Sequence, residues 1–260
     1  MTSSLEHLDV TQTILSKIDG QNGELILRGH RLEEVAGQHS YEAMATLLWQ
    51  GLSPRTETEA NVQVELGRAR HFSFVSLTTL WPELKKQPVL EALRLGLSVL
   101  SPTQTDIPCH YVVTGGIAVI LANILRLHRG LQPIEPDPEL SQVQDLLRMV
   151  QGTRSNTDQE WGLSTYLTTV AEHGLNASTF TARVIASTQS DLLSAVLGAI
   201  GALKGPLHGG APGPVLDMLD AIGTVTNIRP WIQAELLAGH RLMGFGHRIY
   251  QVRDPRADVL

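Results

Sequence analysis

DLLSAVLGAIGAL at Asp191–Leu203 runs straight into KGPLHGGAPGPV at Lys204–Val215. The first thirteen residues are apolar and small-sided on every face. A helix of that kind must be buried, in the core or against a second subunit. Gly205 is a helix stop, and Pro206 drives the residue before it out of helical geometry. Gly209 and Gly210 let the backbone approach a bound molecule closely. Pro212 and Pro214, followed by Val215, Leu216, Leu219 and Ile222, read as the next helix opening on proline. Two helices thus hold one histidine, His208, on the loop between them.

Outward from this point the chain keeps the same character. Downstream, helices are expected at Val215–Ile222 and Pro230–Ala238, then a glycine-flanked loop over Met243–Arg256. Upstream, helices are expected at Leu32–Ala36, Ser40–Gln50 with Ser40 as N-cap, Glu57–Arg70, Val89–Leu100, and from Pro108 towards Arg129-Gly130. Others follow at Pro138–Val150, Trp161–Glu172, Phe180–Ser187 capped by Ser178 or Thr179, and Asp191–Leu203 capped by Ser190. Ser53-Pro54 and Ser101-Pro102 close two of them. Asp19-Gly20 and Asn22-Gly23 within Ile14–Leu27 signal a β-hairpin, almost the only strand signal. The fold class is all-α with one short N-terminal hairpin.

The chain has 260 residues, 42% of them hydrophobic, enough for one large domain or a large and a small one. A net charge of −6 argues against nucleic-acid binding. The single cysteine, Cys109, excludes an internal disulfide and suits a reducing compartment. The first residues carry no basic-then-apolar pattern. Tyr111–Leu125 is apolar but shorter than the ~20 residues a bilayer span needs, so it reads as a buried helix. A soluble, cytoplasmic protein without a membrane or nucleic-acid partner is the expectation.

Three histidines share one setting: His173 in EHGLNAST, His208 in GPLHGGA and His247 in GFGHRIYQVRDPR. Each lies on a connection beside glycine or a cap residue, where binding and catalytic groups concentrate. Each alone also fits a structural loop histidine. Metal binding is not expected, since no HxxxH or CxxC spacing is present. A GxSxG elbow and the Walker and dinucleotide glycine patterns are absent too. Arg248, Arg253 and Arg256 follow His247 within nine residues in an otherwise acidic chain. Arginine forks pair with carboxylates bidentately, which suggests a small di- or tricarboxylate; a solvated basic turn or a coenzyme phosphate are the alternatives.

These segments resemble the three active-site segments of citrate synthases: GPLHGGA at Gly205–Ala211, GFGHRIYQVRDPR at Gly244–Arg256, and EHGLNASTFTARV at Glu172–Val184. IDGQNGELILRGH and SYEAMATLLWQGLSP are similar to that family's opening hairpin and first helices. The resemblance implies condensation of acetyl-CoA with oxaloacetate and hydrolysis to citrate and CoA, with no tightly bound cofactor and CoA as co-substrate. It makes His208 the donor to the thioester carbonyl as it enolises. It makes His247 the group that polarises the oxaloacetate ketone and protonates the alkoxide. His173 and Arg256 then hold the oxaloacetate carboxylates, and Asn176 and Ser178 orient His208. The backbone of Leu242, Met243, Gly244, Phe245 and Gly246 receives the adenine of CoA. A histidine near a helix N-terminus is disfavoured as a cation, which would keep His208 a neutral donor.

The resemblance also implies a large helical domain over residues 1–210, the start of a small CoA-binding domain over 211–260, and a homodimer packed through Tyr111–Leu127 and Asp191–Leu203. The family's general base is an aspartate downstream of the DPR motif, and Arg256 is followed by only four residues here. A fragment of a longer synthase is therefore expected, or a short homologue that binds ligand or a partner subunit without turnover. Either has little synthase activity alone. A 2-methylcitrate synthase using propionyl-CoA would share every motif. APGPV after His208 and Gln251, where lysine or arginine is common, are small departures.

Overall fold

The computed structural model describes residues 12–260 except 54, 207, 210, 211 and 248. Pro54, Gly210, Ala211 and Arg248, invoked above as a turn, the histidine loop and the arginine cluster, lie outside the described residues, as does the N-terminal segment 1–11.

The hairpin is the first two strands of a small antiparallel sheet. β1 (Ser16–Asp19) pairs with β2 (Glu24–Leu27) in the register Ser16 to Leu27 and Asp19 to Glu24. A short β3 (His30–Arg31) adds a third strand that the sequence did not announce. Asp19 builds the turn: one carboxylate oxygen accepts the N–H groups of Gln21 and Asn22, each at 3.0 Å. Leu25 and Leu27 alternate inward and are fully buried. With Leu32 and Val35 of α1 (Leu32–Val35), Ala36 and Met44 they make a small satellite core.

The main core is helical. In order come α2 (Tyr41–Trp49), α3 (Glu59–Ser76), α4 (Trp81–Leu84), α5 (Val89–Val99) and α6 (Cys109–His128). They are followed by α7 (Gln142–Gln151), α8 (Thr157–Thr169), α9 (Ala177–Ser187) and α10 (Leu192–Leu203). α11 (Pro212–Ile222), α12 (Ile228–Leu237) and a one-turn α13 (Arg256–Val259) complete the described α-helices. α6 is the central rod and packs on α3, α5, α7 and α10. Among the described residues it is the one helix long and apolar enough to cross a membrane, and 72% of that window is buried inside the fold. Gly115 makes the tight crossing with α3 possible: a Cβ there would sit 3.0 Å from Ala69 Cβ.

Several boundaries differ from the expectation, most of them for a capping reason. α7 starts after Pro138 because Ser141 and Gln144 form a capping box. α8 starts before Trp161 because Asn156 and Gln159 form another, and it stops at Thr169. α10 is capped by Asp191, not Ser190: Asp191 accepts the Ser194 N–H at 2.8 Å. α9 is capped by Asn176, not Ser178 or Thr179. α3 runs past Arg70 to Ser76, where packing on α6 overrides weak propensity.

One ionic group lies inside the core. Arg70 is fully buried and donates to Asp145 at 2.7 Å, to the Gln142 side chain at 2.8 Å and to the Leu140 carbonyl at 2.7 Å. Glu42 on α2 closes the cluster by accepting the Gln142 N–H at 2.7 Å. Burial pushes the Arg70 pKa down, and the Asp145 charge works against that. The bond set ties α2, α3 and α7 together.

α10 is less enclosed than its composition led us to expect. Only Leu193, Ala195 and Ile200 are buried, while Leu192 and Leu203 are exposed. From Gly213 onward only Tyr250 and Pro255 are buried among the described side chains.

Candidate active site

The site begins with the hairpin turn. The Gln251 N–H donates to the Gly20 carbonyl at 2.8 Å, and a Cβ on Gly20 would overlap the Ile249 carbonyl. A side chain at position 20 would push the His247 loop away, so glycine is required there for close approach. β1 grips a second loop as well. Glu172 accepts from Ser16 Oγ at 2.8 Å and from the Gly174 N–H at 2.7 Å, which fixes the His173 turn on the sheet.

Held this way, His173, His247 and Arg256 converge. The two imidazole rings are 5.8 Å apart at 85°. His247 Nδ1 accepts the N–H groups of Ile249 at 3.1 Å and Tyr250 at 3.2 Å. That nitrogen therefore carries no proton, and neutral His247 presents an Nε2–H donor. Arg256 Nη2 lies 3.5 Å from His247 Nε2. Its guanidinium is gripped bidentately by Asp254, at 3.0 Å from Nε and 2.6 Å from Nη2. Burial raises the Asp254 pKa, but the bonds and charge of Arg256 outweigh it and leave the carboxyl below its usual range. His173 is held neutral: burial first, then the Arg256 charge, lowers its pKa from 6.5 to about 4, against the opposing pull of Asp254.

Of the arginine cluster the described residues include Arg253 and Arg256. Arg253 is exposed and paired with Asp258, and Arg248 is outside the described residues. Of the two described, Arg256 faces the histidines.

His208 belongs to a second pair. Its Nε2 is 2.8 Å from Ser178 Oγ, which also lies 3.0 Å from the Ala199 carbonyl. The hydroxyl has one proton for two acceptors. When it bonds Ala199, His208 must donate from Nε2. When it bonds His208, the imidazole proton sits on Nδ1 and faces outward as a donor. Among the described residues no hydrogen bond or ring contact links His208 to His247. Among the described residues no hydrogen bond joins Asn176 to His208; its side chain caps α9, accepting the Thr179 N–H at 3.0 Å.

Gly244 and Gly246 take φ of +79° and +83°, a backbone bend between Met243 and His247. Leu242 and Phe245 line an apolar cavity of about 450 Å³ with Met218, Ile222 and Ile232 of α11 and α12. Phe245 is exposed, as is Met243.

Tyr250 escaped the sequence reading. It is 4% exposed, its hydroxyl lies 3.2 Å from His173 Nε2, and its ring is 5.0 Å from that of His247. Its place three residues after His247 was visible, but its contact with His173, 77 positions away, was not. Ser16, Gly20 and Glu172 were hidden for the same reason: their partners are remote in sequence.

The family described as "Citrate synthase, C-terminal domain" matches residues 4–260. A 2-methylcitrate synthase of Mycobacterium tuberculosis is 36% identical over 259 residues, covering 96% of this chain and 66% of that protein. A citrate synthase of Haloferax volcanii is 36% identical over 271 residues, covering 98% and 71%. The crystal structure of citrate synthase from Thermotoga maritima superposes with a TM-score of 0.84 at 34% identity, covering 99% of this chain and 71% of that one. The chain thus spans about two thirds of the length of the relatives it matches.

Proposed function

This chain belongs to the citrate synthase family, and from that premise we propose that it forms the oxaloacetate side, and part of the acyl-CoA side, of a condensing acyltransferase site. The observation that carries the reading is the convergence of His173, His247 and Arg256. Arg256, oriented by its two bonds to Asp254, and His173 offer N–H donors to the oxaloacetate carboxylates. The Nε2–H of His247 donates to the ketone oxygen and draws electrons from the carbonyl carbon. A base removes a proton from the acetyl-CoA methyl group, and the electron pair moves into an enol whose oxygen accepts from His208 Nδ1–H. The enol carbon bonds to the ketone carbon, and the alkoxide takes its proton from His247. Water then cleaves the thioester, releasing CoA and citrate. CoA enters and leaves as a co-substrate, with its adenine laid along Leu242–Gly246.

The carboxylates hydrogen-bonded in the cluster, Asp254 and Glu172, are already committed to Arg256 and to Ser16 and Gly174. Neither is free to act as the base. In this reading the 260-residue chain alone binds oxaloacetate and turns over little. The sparse burial after Gly213 supports a division into a large domain to residue 210 and a small one from 211. The exposed apolar side chains of α5 and α10 support a homodimer.

Calorimetric titration with oxaloacetate tests this reading. The wild-type chain should bind, and Arg256→Ala should weaken binding by about 10–100-fold, the loss of charge-assisted bonds. Equal affinity in both would overturn it, and a specific activity like that of a complete synthase would overturn the expectation of low turnover. A second reading, 2-methylcitrate synthase with propionyl-CoA, rests on relatives of both names at equal 36% identity. One methylene is worth about 1–3 kcal/mol of discrimination. Rates with acetyl- and propionyl-CoA separate the two.

A further inference from the structure

Tyr250 touches both imidazoles of the oxaloacetate side by different means. Its main-chain N–H donates to His247 Nδ1 at 3.2 Å, and its side-chain hydroxyl lies 3.2 Å from His173 Nε2. Its ring packs beside both, 5.7 Å from His173 and 5.0 Å from His247, with the Arg256 guanidinium 6.0 Å from its centroid. A phenol has one proton to give, and a buried one needs an acceptor. Among the described residues His173 Nε2 is the partner recorded for this hydroxyl. The phenol therefore donates, and Nε2 must be the unprotonated nitrogen of a neutral ring.

We propose that Tyr250 is a positioning residue that sets both histidine tautomers at once, holding His173 as the Nδ1–H form through its hydroxyl and His247 as the Nε2–H form through its backbone. The two rings then present one N–H each, on opposite ring nitrogens, to two different groups of one ligand. His173 Nδ1–H suits a carboxylate oxygen, and His247 Nε2–H suits the ketone. That assignment of ligand groups rests on the proposed oxaloacetate reading; the tautomers themselves do not.

The two routes make the test specific. Tyr250→Phe keeps the ring and the main-chain N–H and removes only the hydroxyl. Imidazole ¹⁵N spectra of histidine-labelled protein, assigned with His173→Gln and His247→Gln, read each tautomer directly. In the wild type we expect His173 protonated at Nδ1 and His247 at Nε2. In Tyr250→Phe we expect His173 to lose its single-tautomer signature while His247 keeps its own. Oxaloacetate affinity should fall about tenfold, the loss of one fixed donor. A wild-type His173 protonated at Nε2 would overturn the proposal, whether or not the variant folds. So would a His173 tautomer that Tyr250→Phe leaves unchanged. A change at both histidines would mean that the loop has collapsed and that the hydroxyl has no separate role, which also overturns it. Failure of oxaloacetate to bind the wild type would instead sink the functional reading, with the spectra still deciding the role of Tyr250.

Discussion

Ser178 governs His208 through a single proton. Its hydroxyl sits between Nε2 of that ring and the Ala199 carbonyl, at 2.8 and 3.0 Å. Ser178→Ala removes the choice, and Nε2 loses its partner. The expected result is a mixed His208 tautomer in ¹⁵N spectra and weaker polarisation of a bound thioester, read as a smaller carbonyl shift in the infrared. A second prediction concerns acid. His173 is protonated near 6.5 when unfolded but only near 4 when folded. Between those values the unfolded chain binds more protons, so stability is complete above about pH 6.5 and is lost as pH falls towards 4. His173→Gln should flatten the part of the denaturant-midpoint curve that falls in this window. The three histidines and Arg256 were legible because glycine and proline mark their loops. Asn176 is seen here in a second role, as the α9 cap, because an asparagine at a helix start can accept the third amide.

At the scale of elements, the Arg70 network is the joint most exposed to mutation. Arg70→Ala leaves Asp145 buried without its main partner, a loss of about 3–5 kcal/mol. Arg70→Met, which leaves the same carboxylate, should be similarly damaging. The paired variant Arg70→Met/Asp145→Leu should recover much of the loss, and chemical denaturation of the three variants checks this. Helix identities were readable from apolar spacing, but starts were not, since a cap is decided by whichever polar side chain reaches the third amide. Ser190 and Asp191 stand side by side, and Asp191 takes the bond to Ser194. The buried status of Arg70 had no local sign, because its partners lie 67 to 75 positions away.

Across the whole molecule, apolar surface is unevenly spent. α6 is enclosed, whereas Leu192 and Leu203 on α10 and Leu95 and Val99 on α5 stay open. The groove between these helices, lined by Glu91, Arg94, Leu95 and Leu197, is bridged by the Lys204–Glu91 ion pair. If a second copy covers this face, Leu192→Glu should shift the sedimentation profile towards monomer while the helical circular dichroism is kept. An unchanged profile would remove the face from consideration. The sequence showed this helix as one that must be buried, and composition alone could not say by what.

The bond from Gln251 to Gly20 spans 231 positions (251 − 20). During synthesis the β1–β2 turn leaves the ribosome early and waits for the distant segment it clasps. Joining segments so far apart costs loop-closure entropy before any contact repays it. Assembly of the histidine cluster therefore lags behind local helix formation. Ligand capture then reports that this clasp has closed, and helices can form before that signal appears. Gly20→Val should leave helix formation on schedule in stopped-flow circular dichroism and delay or abolish ligand capture. A variant that captured ligand as fast as the wild type would show that the clasp closes early.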